Sequence, residues 1–258
     1  MGMFFHEEPD RFPQLRKTGF LRYRQVLERN WKQFFLADLL TLGLLLPFGV
    51  GVACAVLSSS ILVLAAVCVL GGIPLGIGLS AMYDCILRAL RDCRDDWWHS
   101  FKKALRQNWR CAIIPGIVTG FFLGFLTFAF AMLWWAGRGI TPGTAAVLLA
   151  GCLVFLMVSS VLWPQLVLFE QRLGIQLKNS LLFILRYFGK TLGAAALQLA
   201  WWVLAVLFFP WTAFLVPFLG VWYILFLSTL MLYPHLDEAF SIETQIAARF
   251  PEQMAQEE

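Results

Sequence analysis

LLTLGLLLPFGVGVACAVLSSSILVLAAVCVLGGIPLGIGLSAMY, residues 39–83, runs 45 positions with no ionisable side chain before its final tyrosine. A helix needs about 20 apolar residues to cross roughly 30 Å of hydrocarbon. The stretch is therefore too long for one crossing and suits two. Ser58-Ser59-Ser60 is the natural turn, which gives spans at 36–57 and 61–83. Further spans follow at 111–136 and 144–169. A second uncharged run, Thr191 to Tyr233, divides at Phe209-Pro210-Trp211 into 191–209 and 211–233. Pro217 is an alternative break point, because proline removes a helix hydrogen bond.

Composition agrees with a membrane chain. Of 258 residues, 60% are hydrophobic and only 14% charged, where a soluble domain carries about 25% charged. Mean hydropathy is +0.73. One water-soluble core cannot bury that excess at this length, so soluble enzymes, disordered chains and secreted disulfide scaffolds are excluded. The six cysteines, Cys54, Cys68, Cys85, Cys93, Cys111 and Cys152, form no CxxC pair. The first 33 residues hold no apolar core of signal-peptide length, so insertion is expected to be driven by the spans.

Charge placement sets the expected orientation. Of the 20 Lys and Arg, all but Arg138 fall on one side of these spans. The positive-inside rule then puts both termini in the cytoplasm. Residues 1–35 form a basic tail and amphipathic helix, 36–233 the membrane domain, and 234–258 a tail whose six acids face Arg249 alone.

Three segments before odd-numbered spans look alike: Val26-Leu27-Glu28-Arg29-Asn30-Trp31-Lys32, Ala104-Leu105-Arg106-Gln107-Asn108-Trp109-Arg110 and Ile184-Leu185-Arg186-Tyr187-Phe188-Gly189-Lys190. Trp31 to Trp109 is 78 positions and Trp109 to Phe188 is 79. The expected fold is all-α: a polytopic integral membrane protein of six transmembrane helices in three helical-hairpin repeats, with amphipathic juxtamembrane helices. The apolar faces of those helices (Trp31, Phe34; Phe101, Trp109; Leu181, Phe188) suit an anionic inner leaflet, with basic residues opposite.

Candidate sites are few. Lys102, Lys103, Arg106, Trp109 and Arg110 make a basic, aromatic face for docking a lipid or a partner. Gly116, Gly120 and Gly124 form consecutive GxxxG steps, which pack helices within the chain or between copies in a homo-oligomer. Gly71 to Gly78, with Gly72, Pro74, Gly76 and Gly78, either packs or breaks the second span, as in broken-helix transporters. Asp38 opens the first span as a cap, an ion-pair partner or a functional carboxylate. Asp84, Cys85, Cys93 and His99 match no zinc spacing. Without a nucleophile–base–acid signature, a Gly-rich phosphate loop or paired carboxylates, no enzyme activity, cofactor, metal or nucleic-acid partner is expected. Few polar residues are expected near mid-membrane, where a transporter would need them: Thr119, Thr127, Ser159, Ser160, Gln165 and Gln198.

The segment from Ile73 to Tyr83, with its Pro, Gly, small residues and closing Tyr, resembles the YesL-like proteins, a domain of unknown function from Firmicutes. The likeness continues through Leu87-Arg88, Trp98, Phe101-Lys102 and Asn108-Trp109, and covers roughly residues 73–116. Here residues 39–70 intervene between the first Asn-aromatic helix and the Pro/Gly stretch, a longer interval than in the family. The resemblance implies an inner-membrane protein encoded beside carbohydrate ABC transporter genes, and it brings no catalytic residues. The expected function is a non-enzymatic accessory or scaffold protein meeting an ABC transporter permease or a sensor kinase. A small-solute transporter or channel is the alternative.

Overall fold

The computed structural model describes residues 2–3, 19–93, 96–135, 141–209 and 211–249. Helix α1 spans Phe20–Leu57, α2 Ile61–Leu90, α3 Trp97–Trp135, α4 Pro142–Leu168, α5 Leu173–Arg186 and α6 Phe188–Leu207. A 3-10 turn at Trp211–Phe214, α7 (Val216–Leu219), α8 (Val221–Phe240) and α9 (Ile242–Arg249) follow. Two-residue strands β1 (Gly2–Met3) and β2 (Phe169–Glu170) pair antiparallel, with Met3 opposite Phe169. Five of the described helices, α1, α2, α3, α4 and α6, are long and apolar enough to cross a membrane. This is the architecture of a multi-pass membrane protein.

Local chemistry sets several ends. α1 stops at Ser58, whose hydroxyl returns to Cys54 O at 2.8 Å, and Ser59 adopts a positive φ of 50°. Ser60 then caps α2 by accepting from Val63 N. Thr141 caps α4 through Thr144 N, with Pro142 in the first turn, where its missing N–H costs nothing. Pro47, Pro74, Pro115 and Pro164 lie inside continuous helices, as neighbouring helices in a membrane bundle allow.

α2 is the central element and touches α1, α3, α4 and α8. Tyr83 of α2 stacks on Trp163 of α4 at 6.3 Å, and Phe34 of α1 lies 5.2 Å from Phe226 of α8. These rings, with Ile86, Leu87 and Phe101, fill a core at the end of the bundle where the Lys and Arg concentrate, called here the basic end.

Three sequence expectations change. First, the helices before the first and third spans do not lie apart from those spans. α1 has 38 residues and α3 has 39, each roughly 57–59 Å at about 1.5 Å per residue. Both project well beyond roughly 30 Å of hydrocarbon. Only α5 is separate, turning into α6 at Tyr187. Second, the buried faces of these extensions run through Val26, Asn30 and Phe34 on α1 and Phe101, Ala104 and Asn108 on α3. Trp31 and Trp109 point outward. Third, residues 211–233 are not one helix. The chain makes the 3-10 turn and α7 before α8 begins at Val221, and α8 continues to Phe240. Pro210 and Arg138 lie outside the described residues.

Candidate functional site

The basic face stands on the extension of α3. Lys102, Arg106 and Arg110 recur at four-residue spacing, so they share one side of the helix, and all three are exposed, with Lys103 half-buried beside them. The Arg110 guanidinium lies 5.1 Å from the centre of the exposed Trp109 ring, a cation–π geometry that holds the charge outward. On the opposite side, Phe101, Ala104 and Asn108 are buried, so the face cannot roll.

A cluster that composition did not reveal fixes this end. Asp92 follows α2 in a turn with φ 65°, a left-handed conformation that Asp tolerates better than most residues. Its carboxylate receives Arg22 at 2.8 Å and Arg29 at 2.5 Å, both from α1. The same guanidiniums reach the last carbonyls of α2, Arg22 to Leu90 O at 2.6 Å and Arg29 to Ala89 O at 3.2 Å. Cations at a helix C-terminus satisfy orphan acceptors and oppose the dipole. Burial works to raise the Asp92 pKa, but the hydrogen bonds and charges of Arg22 and Arg29 prevail and hold it below the usual aspartate value.

Asp84 pairs with Arg88 at 2.8 Å. With Asn30, Gln33, Cys85 and Cys93 they border a cavity of about 20 Å³, room for a single water. His99 is exposed. Among the described residues no group of three or more His, Cys, Asp or Glu could hold a metal ion. His235 stacks on Tyr187 at 5.1 Å and sits 3.9 Å from Glu238.

The glycines line two sides of α2. Gly71 and Gly78 face Phe48, Thr41 and Leu44 of α1. Gly72 and Gly76 face α3, where a Cβ on Gly76 would lie 2.6 Å from Gly116 Cα, and one on Gly72 would lie 2.8 Å from Ile117 Cα. Gly120 continues this seam past Cys68 O and Gly72, and Gly124 meets Cys68 Sγ. α2 is helical throughout Gly71–Gly78, Pro74 included, so this stretch is not unwound.

The unwound backbone lies elsewhere, ahead of α8. Asp38 is fully buried on α1, and its Oδ1 accepts from Trp222 N at 3.0 Å and Val221 N at 3.3 Å. The carboxylate thus caps a helix 183 positions away and meets its positive dipole end. Trp201 donates to Gly220 O at 3.3 Å, and Trp222 donates its indole N–H to Phe218 O at 2.7 Å. Gly220 cannot carry a side chain, because a Cβ would run into Val216 O. Asp38 Oδ2 and, one turn on, Thr41 Oγ1 are buried with no hydrogen-bond partner among the described residues.

Removing this cap is expected to cost stability in a graded way. Asp38→Ala leaves two buried N–H groups unsatisfied, at about 1–3 kcal/mol each. Asp38→Asn keeps an acceptor oxygen and should lose less. Thermal unfolding in detergent checks the order, and equal losses would mean that the hydrogen bonds contribute little.

Two glutamines of the later spans pair helix to helix. Gln198 donates to Ser160 Oγ at 2.9 Å, joining α6 to α4. Gln165 donates to Ser180 Oγ at 3.2 Å, joining α4 to α5. Thr127 bonds within its own helix, to Leu123 O. Comparison of the chain with protein-family models, curated proteins and solved structures finds no match.

Proposed function

We propose that the protein is a non-enzymatic membrane scaffold whose basic end docks an acidic surface of a membrane or cytoplasmic partner. The observation that carries this reading is the locked basic end. Asp92 ties α1 to α2 through Arg22 and Arg29, and α3 presents exposed Lys102, Arg106 and Arg110 on a side held by its buried face. A face that cannot reorient pays little ordering entropy on binding, and its charge favours rapid encounter with an acidic patch. The resemblance over residues 73–116 makes a carbohydrate ABC transporter permease, or a sensor kinase serving one, the partner to seek.

The proposed setting is a bacterial inner membrane, as the resemblance implies, with both termini cytoplasmic, which the Lys and Arg distribution supports. It requires an even number of crossings, so the sixth is assigned to the interrupted segment from Phe208 through α8. The exposure of Phe208, Phe209, Trp211, Phe214 and Phe218 supports a lipid-facing turn there. The three-hairpin repeat is supported by matching burial. In the register that aligns Trp31, Trp109 and Phe188, all exposed, the residues five positions earlier, Val26, Ala104 and Phe183, are all buried.

The test is mild-detergent purification from the native host, with co-purifying proteins quantified. Lys102→Glu, Lys103→Glu and Arg106→Glu together are expected to reduce a stoichiometric permease or kinase at least tenfold while the protein still elutes as one species. Unchanged association, or no partner with the native chain, overturns the reading.

A second reading, a small-solute transporter or channel, rests on the unpartnered Asp38 Oδ2 and Thr41 Oγ1 beside the interrupted helix. Buried ionisable groups in spans commonly mark ion or solute paths. Uptake into proteoliposomes that Asp38→Asn abolishes would establish it.

A further inference from the structure

α3, α4 and α5 enclose an apolar groove of about 270 Å³, walled by Ile114, Val118, Phe155, Val158, Leu162 and Leu177. Filling it with water would take roughly nine molecules at about 30 Å³ each, and each needs two to four polar partners. The wall's polar side-chain groups are the Thr119 and Ser159 hydroxyls and the Trp163 indole. Water is therefore the wrong occupant.

α5 identifies the medium outside. Gln176 and Ser180 are buried, with Gln176 donating to Phe169 O and Ser180 accepting from Gln165. Ile175, Leu177, Leu181 and Leu185 face outward, Leu185 at 75% exposure. With Phe183 and Ile184 buried beside these polar groups, and Lys178 and Arg186 exposed among the outward leucines, α5 suits the boundary between hydrocarbon and headgroups. The groove beneath it opens to the same medium.

The rim is charged. Arg110 stands one helical turn before Ile114 on α3, and Lys178 one turn after Gly174 on α5, both exposed. Arg106 and Arg172, the latter adjoining Leu173 of the wall, are exposed as well. The balance stays cationic. An apolar slot with a basic lip matches one chemistry, an acyl chain attached to an anionic headgroup.

We propose that this groove is a specific site for one anionic phospholipid of the leaflet at the basic end. One acyl chain lies between α3 and α4 beneath α5, and the phosphate is held by Arg110 and Lys178. The site shares Arg110 with the docking face but does not rest on that reading, because a scaffold or a transporter could equally carry it.

The test is native mass spectrometry of the detergent-purified protein after exposure to equal amounts of phosphatidylglycerol and phosphatidylcholine with the same chains. The expected result is one retained phosphatidylglycerol, preferred roughly tenfold or more, as two interfacial cations would provide. Val158→Trp, which fills the groove, should abolish retention. Arg110→Gln with Lys178→Gln, at exposed positions that leave the packing intact, should erase the headgroup preference while the chain still binds. Three results would each overturn the site: no retained lipid with the native protein, equal retention of both lipids, or a preference that survives the double substitution. A second copy of the chain in place of lipid would do the same.

Discussion

Gly116→Leu is expected to open the seam between α2 and α3 and to produce the largest loss of stability of any single substitution in the bundle. A Cβ at Gly116 would sit 2.5 Å from Gly76 Cα and would also overlap Gly72 O. Both obstacles are backbone, so no side chain can rotate aside, and one helix must move. Overpacking of well-fitted interiors costs about 1–3 kcal/mol and occasionally more. Here the upper end applies, because the close approach runs along Gly72, Gly76, Gly116 and Gly120. In lipid, helices associate mainly through such packing, not through a hydrophobic drive. The control is Gly151→Leu on α4, where an added Cβ meets nothing within 4 Å. That change should stay within about 0.5 kcal/mol, as surface substitutions usually do. Thermal unfolding followed by size exclusion decides the matter. If both variants melt together, the seam is not a stability determinant.

The same seam shows how far the sequence could be read. Length and hydropathy were enough for an all-helical chain with long apolar helices, because hydrocarbon admits few other ways to satisfy a backbone. Ser58–Ser60 carry local turn chemistry, so that end was visible; the fourth span was placed from 144, and the cap at Thr141 that starts α4 at Pro142 was not read. The GxxxG steps on α3 were visible too. Their partner was not, because spacing marks a face of small residues without saying which helix meets it.

The misreadings share one physical cause. Trp31 and Trp109 were assigned to the apolar faces by periodicity, yet the buried stripe runs through Val26 with Asn30 and Ala104 with Asn108. Polar asparagine can be buried where a carbonyl is within reach, as Asn30 Nδ2 bonds Val26 O at 3.0 Å, and a hydrophobicity pattern does not register this. α5 likewise buries Gln176 and Ser180 beside Phe183 and Ile184 while Leu181 and Leu185 stay exposed. Asp38 was recognised as a candidate cap, but its client, the start of α8, lies 183 residues away. Pro210 and Pro217 flagged the interruption, and the start of α8 at Val221 depended on that remote carboxylate. Asp92 was passed over because nothing in the sequence shows that Arg22 and Arg29 of α1 return to the turn after α2.

Asp92→Asn is expected to release the end of α1 from α2 while leaving the spans inserted. Asparagine is the appropriate substitute because it tolerates the left-handed backbone at this turn, so the measured loss reports charge and hydrogen bonding instead of strain. The side chains of Asp92, Arg22 and Arg29 are 6%, 12% and 16% exposed, and removing one member of so buried a cluster costs about 3 kcal/mol or more. The pH dependence has a definite sign. The Asp92 carboxyl is held below its ordinary value in the folded protein, so its ionised form favours folding. That contribution is complete above the unfolded aspartate value of about 3.9. It fades as pH falls through the lower folded-state value. The native protein should therefore melt well above Asp92→Asn at pH 7, with a gap that is flat towards pH 5 and closes only in strong acid. Because the pair is buried, added salt should narrow the gap little. Hydrogen exchange should place the released protection at the start of α1 and the end of α2. A gap that shrinks between pH 5 and 7, or protection lost uniformly along the spans, would mean that Asp92 does not act as the clasp.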